Sequence, residues 1–176
     1  YLRYARIPPP ELNAVDLNPL CFDLIDFSRA EAERSKVSLS LDPDPVHRTV
    51  FADSNQLRSA LINLIRNACE ALEGSGGYVK LSVRTGGGEA RITVEDNGPG
   101  IPREFSEKIF EPFFSTKPQG TGLGLSMVRQ LMQVQGGRIE LSPNSIRDKT
   151  EHDASWKRAR IEENRGTSFS ICLPLS

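Results

Sequence analysis

The sequence is poor in the residues that build disulfide frameworks, zinc sites and membrane spans. It has three cysteines among 176 residues, Cys21, Cys69 and Cys172, and their odd number and wide spacing argue against a disulfide scaffold or a zinc site. It has no apolar run near the roughly 18–20 residues of a membrane-spanning helix, and its first residues do not lead us to expect a secretory leader. Its formal net charge of -1 removes the basic field that sequence-independent nucleic-acid binding needs. We therefore expect three buried thiols, a reducing compartment and no nucleic-acid partner.

The residues that are present suit one folded unit preceded by a linker. The chain is 38% apolar and 26% charged, which allows both a core and a hydrated surface. It opens at Tyr1 in the middle of a pattern, so we interpret it as a piece of a longer protein. The run Ile7-Pro8-Pro9-Pro10 predicts a stiff, extended spacer, because consecutive prolines exclude helix. We interpret residues 1–12 as the end of an upstream element with its linker, and residues 13–176 as one domain.

Hydrophobic periodicity and turn residues predict three helices and a sheet. The helices are expected at 18–34, with Asn18 as N-cap before Pro19, and at 54–72 and 123–135. The strands are expected at 15–17, 37–41, 49–52, 78–84, 90–95, 138–142 and 167–173. Residues 143–165 carry charges of both signs and are expected to form a surface insertion. The order predicts an α+β fold, a two-layer α/β sandwich whose mixed, mostly antiparallel sheet carries three main helices on one face.

The second predicted helix has two different faces. Its apolar residues fall on one broad face, while Gln56, Asn63, Asn67 and Glu70 cluster on the opposite side within roughly 60°. Asn is a mediocre helix former, so two of them one turn apart call for a reason. An Asn oxygen is a hard ligand that suits Mg²⁺. A solvated polar face is the alternative that this helix alone leaves open.

A turn whose residues could bind a ligand follows a predicted strand at Asp96-Asn97-Gly98-Pro99-Gly100. A carboxylate at the end of a strand can accept a hydrogen bond from an exocyclic amine, such as the N6 amino group of adenine. The glycines let the backbone approach a flat ring, because no Cβ intrudes. An ordinary Asp/Asn/Gly turn is the alternative.

A glycine-rich run, Gly120-Thr121-Gly122-Leu123-Gly124, opens the third predicted helix. Such a run exposes several N–H groups at the positive end of a helix and can cradle phosphate. It is neither a Walker A loop nor a dinucleotide fingerprint, and a flexible linker is the alternative. Lys117 could meet a terminal phosphate, or be an ordinary surface lysine. The phenylalanines at 110, 113 and 114 suggest a flap with an apolar anchor.

In this order and spacing the segments resemble the catalytic ATP-binding domain of sensor histidine kinases, in the wider gyrase, Hsp90, histidine kinase and MutL superfamily. The resemblance covers residues 16–173. Its parts are the N box at 63–68, the G1 box at 96–100, the F box at 109–114, the G2 box at 120–126 and a last motif at Gly166-Thr167. Residues 3–8 are similar to the exit from the dimerisation helices of nitrogen-regulation-type kinases.

The resemblance implies a Bergerat fold that binds ATP and Mg²⁺ between helices and a lid at 113–120. Asn67 would bind Mg²⁺, Asn63 would lie beside the phosphates, and Asp96 would accept from adenine N6 with Gly98 and Gly100 flanking the base. The other implied nucleotide contacts are Glu70, Ile101, Phe113, Lys117, Gly120, Thr121, Gly122, Leu123, Gly124, Leu125 and Thr167.

The implied reaction is transfer of the ATP γ-phosphate to a His on a separate dimerisation domain of the parent kinase. Asn63, Asn67 and Lys117 would be its catalytic residues, and a response-regulator receiver domain would be a further partner. Neither His47 nor His152 has the context of a phosphoacceptor. Dimerisation is expected to reside in the upstream helices, so the fragment is expected to be monomeric. It is also expected to be cytoplasmic, from a homodimeric parent whose anchoring in the inner membrane is left open.

Three other readings remain. A gyrase- or Hsp90-like ATPase needs a Glu one turn before the magnesium-binding Asn, where this chain has Asn63, an amide that cannot act as a general base. A non-catalytic nucleotide-sensing or docking module is disfavoured by the intact N, G1 and G2 boxes, and a calorimetric titration that showed no Mg-ATP binding would favour it. A protein-serine kinase of the anti-sigma type is usually smaller and lacks a Phe-rich flap.

Overall fold

The computed structural model describes residues 7–116, 122, 124–147 and 166–175. The helices in this part of the chain are α1 (Leu17–Arg34), α2 (Ser54–Ala71) and α3 (Gly124–Val134). The strands are β1 (Asn13–Asp16), β2 (Val37–Asp42), β3 (Thr49–Ala52), β4 (Gly77–Gly86), β5 (Glu89–Asp96), β6 (Ile101–Pro102), β7 (Arg138–Leu141), β8 (Ile146–Arg147) and β9 (Thr167–Pro174).

Five of the strands form the main sheet, in the order β2-β4-β5-β9-β7. The β2–β4 pair is parallel and the other three pairs are antiparallel, which confirms the predicted mixed, mostly antiparallel sheet in an α+β fold. Smaller pairs join β1 to β3 and β6 to β8. The central strand β5 alternates strictly between buried and half-buried positions, and its last buried position is Asp96. The register of the sheet therefore places a carboxyl group where an apolar side chain would continue the core.

Helix α2 lies between α1 and α3, with its apolar face in the core. Its buried apolar residues fall three and four positions apart, as the periodicity predicts; they are Leu57, Ala60, Leu61, Leu64, Ile65 and Ala68. The helix begins at an Asp53 N-cap, whose carboxylate accepts from the Gln56 amide at 3.0 Å. Because the apolar face is fully used by the core, the opposite face of α2 is left to polar residues.

The start of α1 differs from the prediction. The N-cap is Asp16, whose carboxylate accepts from the Asn18 amide at 3.2 Å. Asn18 is instead buried in the first turn, where its Nδ2 donates to the Asp44 carbonyl at 2.8 Å and its Oδ1 accepts from the Asp44 amide at 2.9 Å. The prediction of Asn18 as N-cap was wrong, because a distant loop takes both polar ends of its side chain.

The first residues of the predicted insertion are built into the domain. Residues Pro143–Ser145 form a 3-10 turn, Ser145 is buried, and β8 pairs with β6. The remainder of that insertion, residues 148–165, lies outside the described residues, as do residues 1–6.

The three cysteines lie in the interior of the domain. Cys21, Cys69 and Cys172 are all buried free thiols, as predicted. In the described part of the chain, no helix combines the length and apolar character needed to cross a membrane.

The linker is fastened to the domain through a buried polar network at the base of α2. The Gln56 Nε2 donates to the Pro8 carbonyl at 2.9 Å, and the Glu11 amide donates to the Asp53 carboxylate at 2.8 Å. Gln135, just beyond α3, accepts from the Asp53 amide at 2.9 Å and donates to Gln56 Oε1 at 3.1 Å. Gln56 at the start of α2 thus bonds both to the linker and to Gln135 at the end of α3.

We expect Gln135→Ala to lower the free energy of unfolding by about 1–3 kcal/mol, because it leaves the buried Asp53 amide without its acceptor. Urea denaturation of the purified fragment measures the change. Gln133→Ala is the matched control, since Gln133 is exposed in the last turn of α3, two residues before Gln135. Equal stability of the two variants would contradict a structural role for the network.

Candidate functional site

One cavity of about 680 Å³ lies between α2, the end of β5, the loop after β5 and the start of α3. Its volume is in the usual range for sites that enclose a small organic ligand. Val94, Ile109 and Phe169 provide apolar wall, while Asn63, Asn67 and Asp96 provide polar groups. The cavity therefore combines apolar wall with a buried carboxyl group, the side-chain amides of α2 and the start of α3.

Asp96 is the buried acid of this cavity, with only 5% of its surface exposed. The Gly98 amide donates to its Oδ1 at 2.8 Å, and the Thr167 amide, opposite it on β9, donates to the same oxygen at 3.4 Å. Burial raises the pKa of the carboxyl group to about 6, although both amides act in the opposite direction. Because both donors bond Oδ1, Oδ2 is the oxygen that a ligand in the cavity can use.

The loop after β5 needs glycine at a close approach. Gly100 has a φ of +74°, and a Cβ there would come within 2.7 Å of the Ser145 carbonyl oxygen. A side chain at this position would thus be strained and would push the loop away from the segment that precedes β8. Ile101, the next residue, lines the cavity, so the glycine sets the position of an apolar contact.

The polar face of α2 reaches the cavity through three residues, Asn63, Asn67 and Glu70. The Asn63 Nδ2 donates to the Ser59 carbonyl at 3.0 Å, and its Oδ1 lies 3.3 Å from where a Cβ of Gly124 would be. The two helices therefore approach closely where α3 begins. Gln56, predicted on the same polar face, is buried in the linker network instead.

The F box has one side chain turned outward and others turned inward. Phe113 has a φ of +67° and is 65% exposed, and its amide donates to the Gly122 carbonyl at 3.0 Å. A Cβ on Gly122 would collide with the Phe113 backbone, so this contact requires glycine. Phe114 lies 5.3 Å from Phe105 between ring centroids, and Phe110 lies 6.1 Å from Phe169. These rings supply the predicted apolar anchor.

Most of the predicted nucleotide contacts that the structure describes meet in the cavity. The residues that line it are Asn63, Asn67, Glu70, Asp96, Gly100, Ile101, Gly122, Gly124, Leu125 and Thr167. Gly98 lies behind Asp96 as a backbone donor, and Phe113 points outward. Lys117, Gly120, Thr121 and Leu123 lie outside the described residues.

Several lining residues were missed at the sequence level. Val94 and Phe169 are inward positions of β5 and β9 next to the site, and strand alternation could have indicated both. Arg66 follows Asn63 by three positions, so helical spacing could have placed it at the rim. Arg147 had no such signal, because the pairing of β8 with β6 joins distant parts of the sequence.

The donor set fits a nucleotide with Mg²⁺. The buried Asp96 and the start of α3 at Gly124 both line the cavity, and the positive end of a helix favours phosphate. Among the described residues no cluster of three His, Cys, Asp or Glu could hold a metal by itself. A cation at Asn67 would thus depend on oxygen atoms from ligand phosphates and water, as Mg²⁺ commonly does.

Comparisons with known proteins agree with the geometry. A profile of the family described as "Histidine kinase-, DNA gyrase B-, and HSP90-like ATPase" matches residues 52–176. The sensory histidine kinase/phosphatase NtrB of Escherichia coli O157:H7 is 41% identical over 149 residues, covering 79% of this chain and 37% of NtrB. The sensor histidine kinase ZraS of Escherichia coli K12 is 29% identical over 165 residues, covering 94% of this chain and 31% of ZraS.

Solved structures of histidine kinases have a similar fold. The catalytic domain of histidine kinase ThkA superposes with a TM-score of 0.74 at 30% identity, covering 93% of this chain and 95% of that one. Full-length ShkA, solved in complex with AMPPNP, superposes with a TM-score of 0.78 at 25% identity, covering 99% of this chain and 33% of ShkA. The chain spans about a third of the length of the curated relatives it matches.

We expect Asp96→Asn to weaken binding of adenine nucleotides by about 10- to 100-fold, the value of a hydrogen bond to a charged group. An amide NH₂ at the ligand-facing position would oppose the N6 amine, donor against donor. Calorimetric titration with Mg-ADP measures the loss. Asp23→Asn is the control, because Asp23 is exposed on α1.

The same variant should be more stable than wild type without nucleotide. The folded-state pKa of Asp96 is raised from 3.8 to about 6, so its stabilising contribution is complete below about pH 4 and is lost as the pH rises through 6. At about 1.4 kcal/mol per pKa unit, the variant should gain up to about 3 kcal/mol at pH 7. The gap should close as the pH falls towards 4, and a gap independent of pH in urea denaturation would contradict the argument.

Proposed function

Since the chain belongs to the histidine kinase-, DNA gyrase B- and HSP90-like ATPase family, we propose that it presents Mg-ATP to a phosphoacceptor His on a separate dimerisation domain. The chain is a catalytic ATP-binding domain of the sensor histidine kinase type. The observation that carries the proposal is the buried Asp96 carboxyl group, which lines a nucleotide-sized cavity while two backbone amides hold its Oδ1.

Asp96 would select the base. Its Oδ2 would accept from the adenine N6 amine, while Gly98 and Thr167 hold its Oδ1. Gly100 and Ile101 would pack against the ring. Because the carboxyl group is buried, this hydrogen bond would be made away from competing water, which strengthens it.

The α2 and α3 side of the cavity would hold the triphosphate. Asn67 would provide an oxygen ligand for Mg²⁺, and Asn63, Gly122 and Gly124 would lie beside the phosphates, with Glu70 and Leu125 as further contacts. Bound Mg²⁺ would neutralise part of the phosphate charge. Phosphoryl transfer has a loose transition state, so positioning and charge neutralisation would be the main work of these residues. Lys117, Gly120, Thr121 and Leu123 would add to this site from the lid.

The partners follow from the same proposal. ThkA has been solved in complex with the response regulator protein TrrA, and we propose that this chain's parent likewise meets a receiver domain. Residues 1–12 would connect to the dimerisation helices of a homodimeric parent, and the fragment itself would be a cytoplasmic monomer.

The ATPase alternative is disfavoured by Asn63. A gyrase- or Hsp90-like enzyme would need a general base at this position. Here the amide nitrogen already donates to the Ser59 carbonyl, and an amide oxygen cannot take up a proton from water. A kinase domain that protects ATP from hydrolysis fits this site better.

We expect the fragment alone to bind Mg-ATP without phosphorylating itself. With γ-labelled ATP, neither His47 nor His152 should gain acid-labile phosphate, and hydrolysis should be very slow. Addition of a His-bearing dimerisation domain of a related kinase should give labelled His on that added domain. Label on His47 or His152, or turnover comparable to a gyrase-type ATPase, would contradict the proposal.

We also expect Asn67→Ala to remove the Mg²⁺ dependence of ATP binding. Affinity for ATP in excess Mg²⁺ should fall at least about tenfold, or about 1.4 kcal/mol, while affinity in the presence of EDTA should change little. Asn55→Ala is the matched control, because Asn55 is exposed at the start of α2. Wild-type Mg²⁺ dependence in the Asn67 variant would place the metal elsewhere.

A further inference from the structure

Arg147 is a cation in the cavity wall that the resemblance does not account for. It lies in β8, within the segment predicted as a surface insertion, and is half-buried. It lines the same cavity as Asp96, Asn67 and Gly124. A half-buried arginine in the wall of a ligand-sized cavity suggests a contact with the ligand.

The segment that carries Arg147 is fixed to β9, the strand that pairs with the Asp96 end of β5. The Ser168 amide donates to the buried Ser145 Oγ at 2.8 Å, and the Ser142 amide donates to the Ser168 carbonyl at 2.9 Å. Ser168 is the neighbour of Thr167, whose amide donates to Asp96 Oδ1. The same segment is thus held by the strand that holds the buried acid.

The second attachment is to the loop that follows Asp96. Strand β8 pairs in parallel with β6, in a register that matches Ile146 with Ile101 and Arg147 with Pro102. The Ser145 carbonyl also lies against Gly100, close enough that a Cβ there would come within 2.7 Å. The start of α3 makes a different close contact, since Gly124 approaches Asn63 of α2.

Resting on the proposed function, we propose that Arg147 binds the base and ribose half of the nucleotide and not its phosphates. A guanidinium can stack flat on a purine ring and donate hydrogen bonds from its edge, which an ammonium cannot do equally well. Together with Asp96 it would make recognition of the adenine nucleoside depend on two elements that are distant in the sequence.

The test measures binding of Mg-ATP, Mg-ADP and AMP by calorimetry to wild type, Arg147→Ala and Arg147→Lys. For Arg147→Ala we expect a loss of roughly tenfold that is the same for all three nucleotides, which is the order of a partly desolvated cation–ring contact. Arg147→Lys should lose less. Arg29→Ala, on α1 away from the cavity and exposed, should bind like wild type, and thermal unfolding without nucleotide checks that each variant is folded.

The outcomes separate the two proposals. Unchanged affinity in Arg147→Ala, or a loss that shrinks stepwise from ATP to AMP, overturns the assignment to the base and ribose while leaving the proposed function intact. Failure of wild type to bind Mg-ATP overturns both. An equal loss for the three nucleotides in a folded protein supports the assignment.

Discussion

The site depends on a carboxyl group that the sheet holds inside the core. Strand β5 places Ala90, Ile92 and Val94 inward and then Asp96 in the same series. An ionised carboxylate at that position costs the folded protein free energy, as its raised pKa indicates. Two backbone amides offset part of that cost and fix the orientation of the group. The fold therefore keeps a strong acceptor largely buried, which favours selective recognition of a neutral amine.

Helix α2 joins this acceptor to the rest of the molecule. Its apolar face forms the middle of the helical layer, its polar face carries Asn63 and Asn67 to the cavity, and its first turn holds the linker through Gln56. Gln135 ties the same turn to the end of α3, whose other end begins at Gly124 in the cavity. The linker and the cavity thus share helices α2 and α3.

The sequence predicted the parts of this arrangement that depend on local pattern. The periodicity of α2, the alternation of β5 and the glycine-rich turns each have a signal within a short window. It could not predict the role of Asn18, which bonds to Asp44 across a loop, or that of Gln56, which leaves the polar face for the linker. The β6–β8 pair has only two residues in each strand and joins distant segments. Strands this short show no hydrophobic periodicity, so the sequence pattern could not predict the pair. The same pairing places Arg147 in the wall of the cavity, so the sequence pattern could not predict that position either.

The most direct test is a crystal structure of the fragment with Mg²⁺ and a non-hydrolysable ATP analogue. The account predicts the adenine N6 at about 3 Å from Asp96 Oδ2 and the metal ion bonded to the side-chain oxygen of Asn67. A purine ring seated away from Asp96, or a metal ion bound without Asn67, would contradict it.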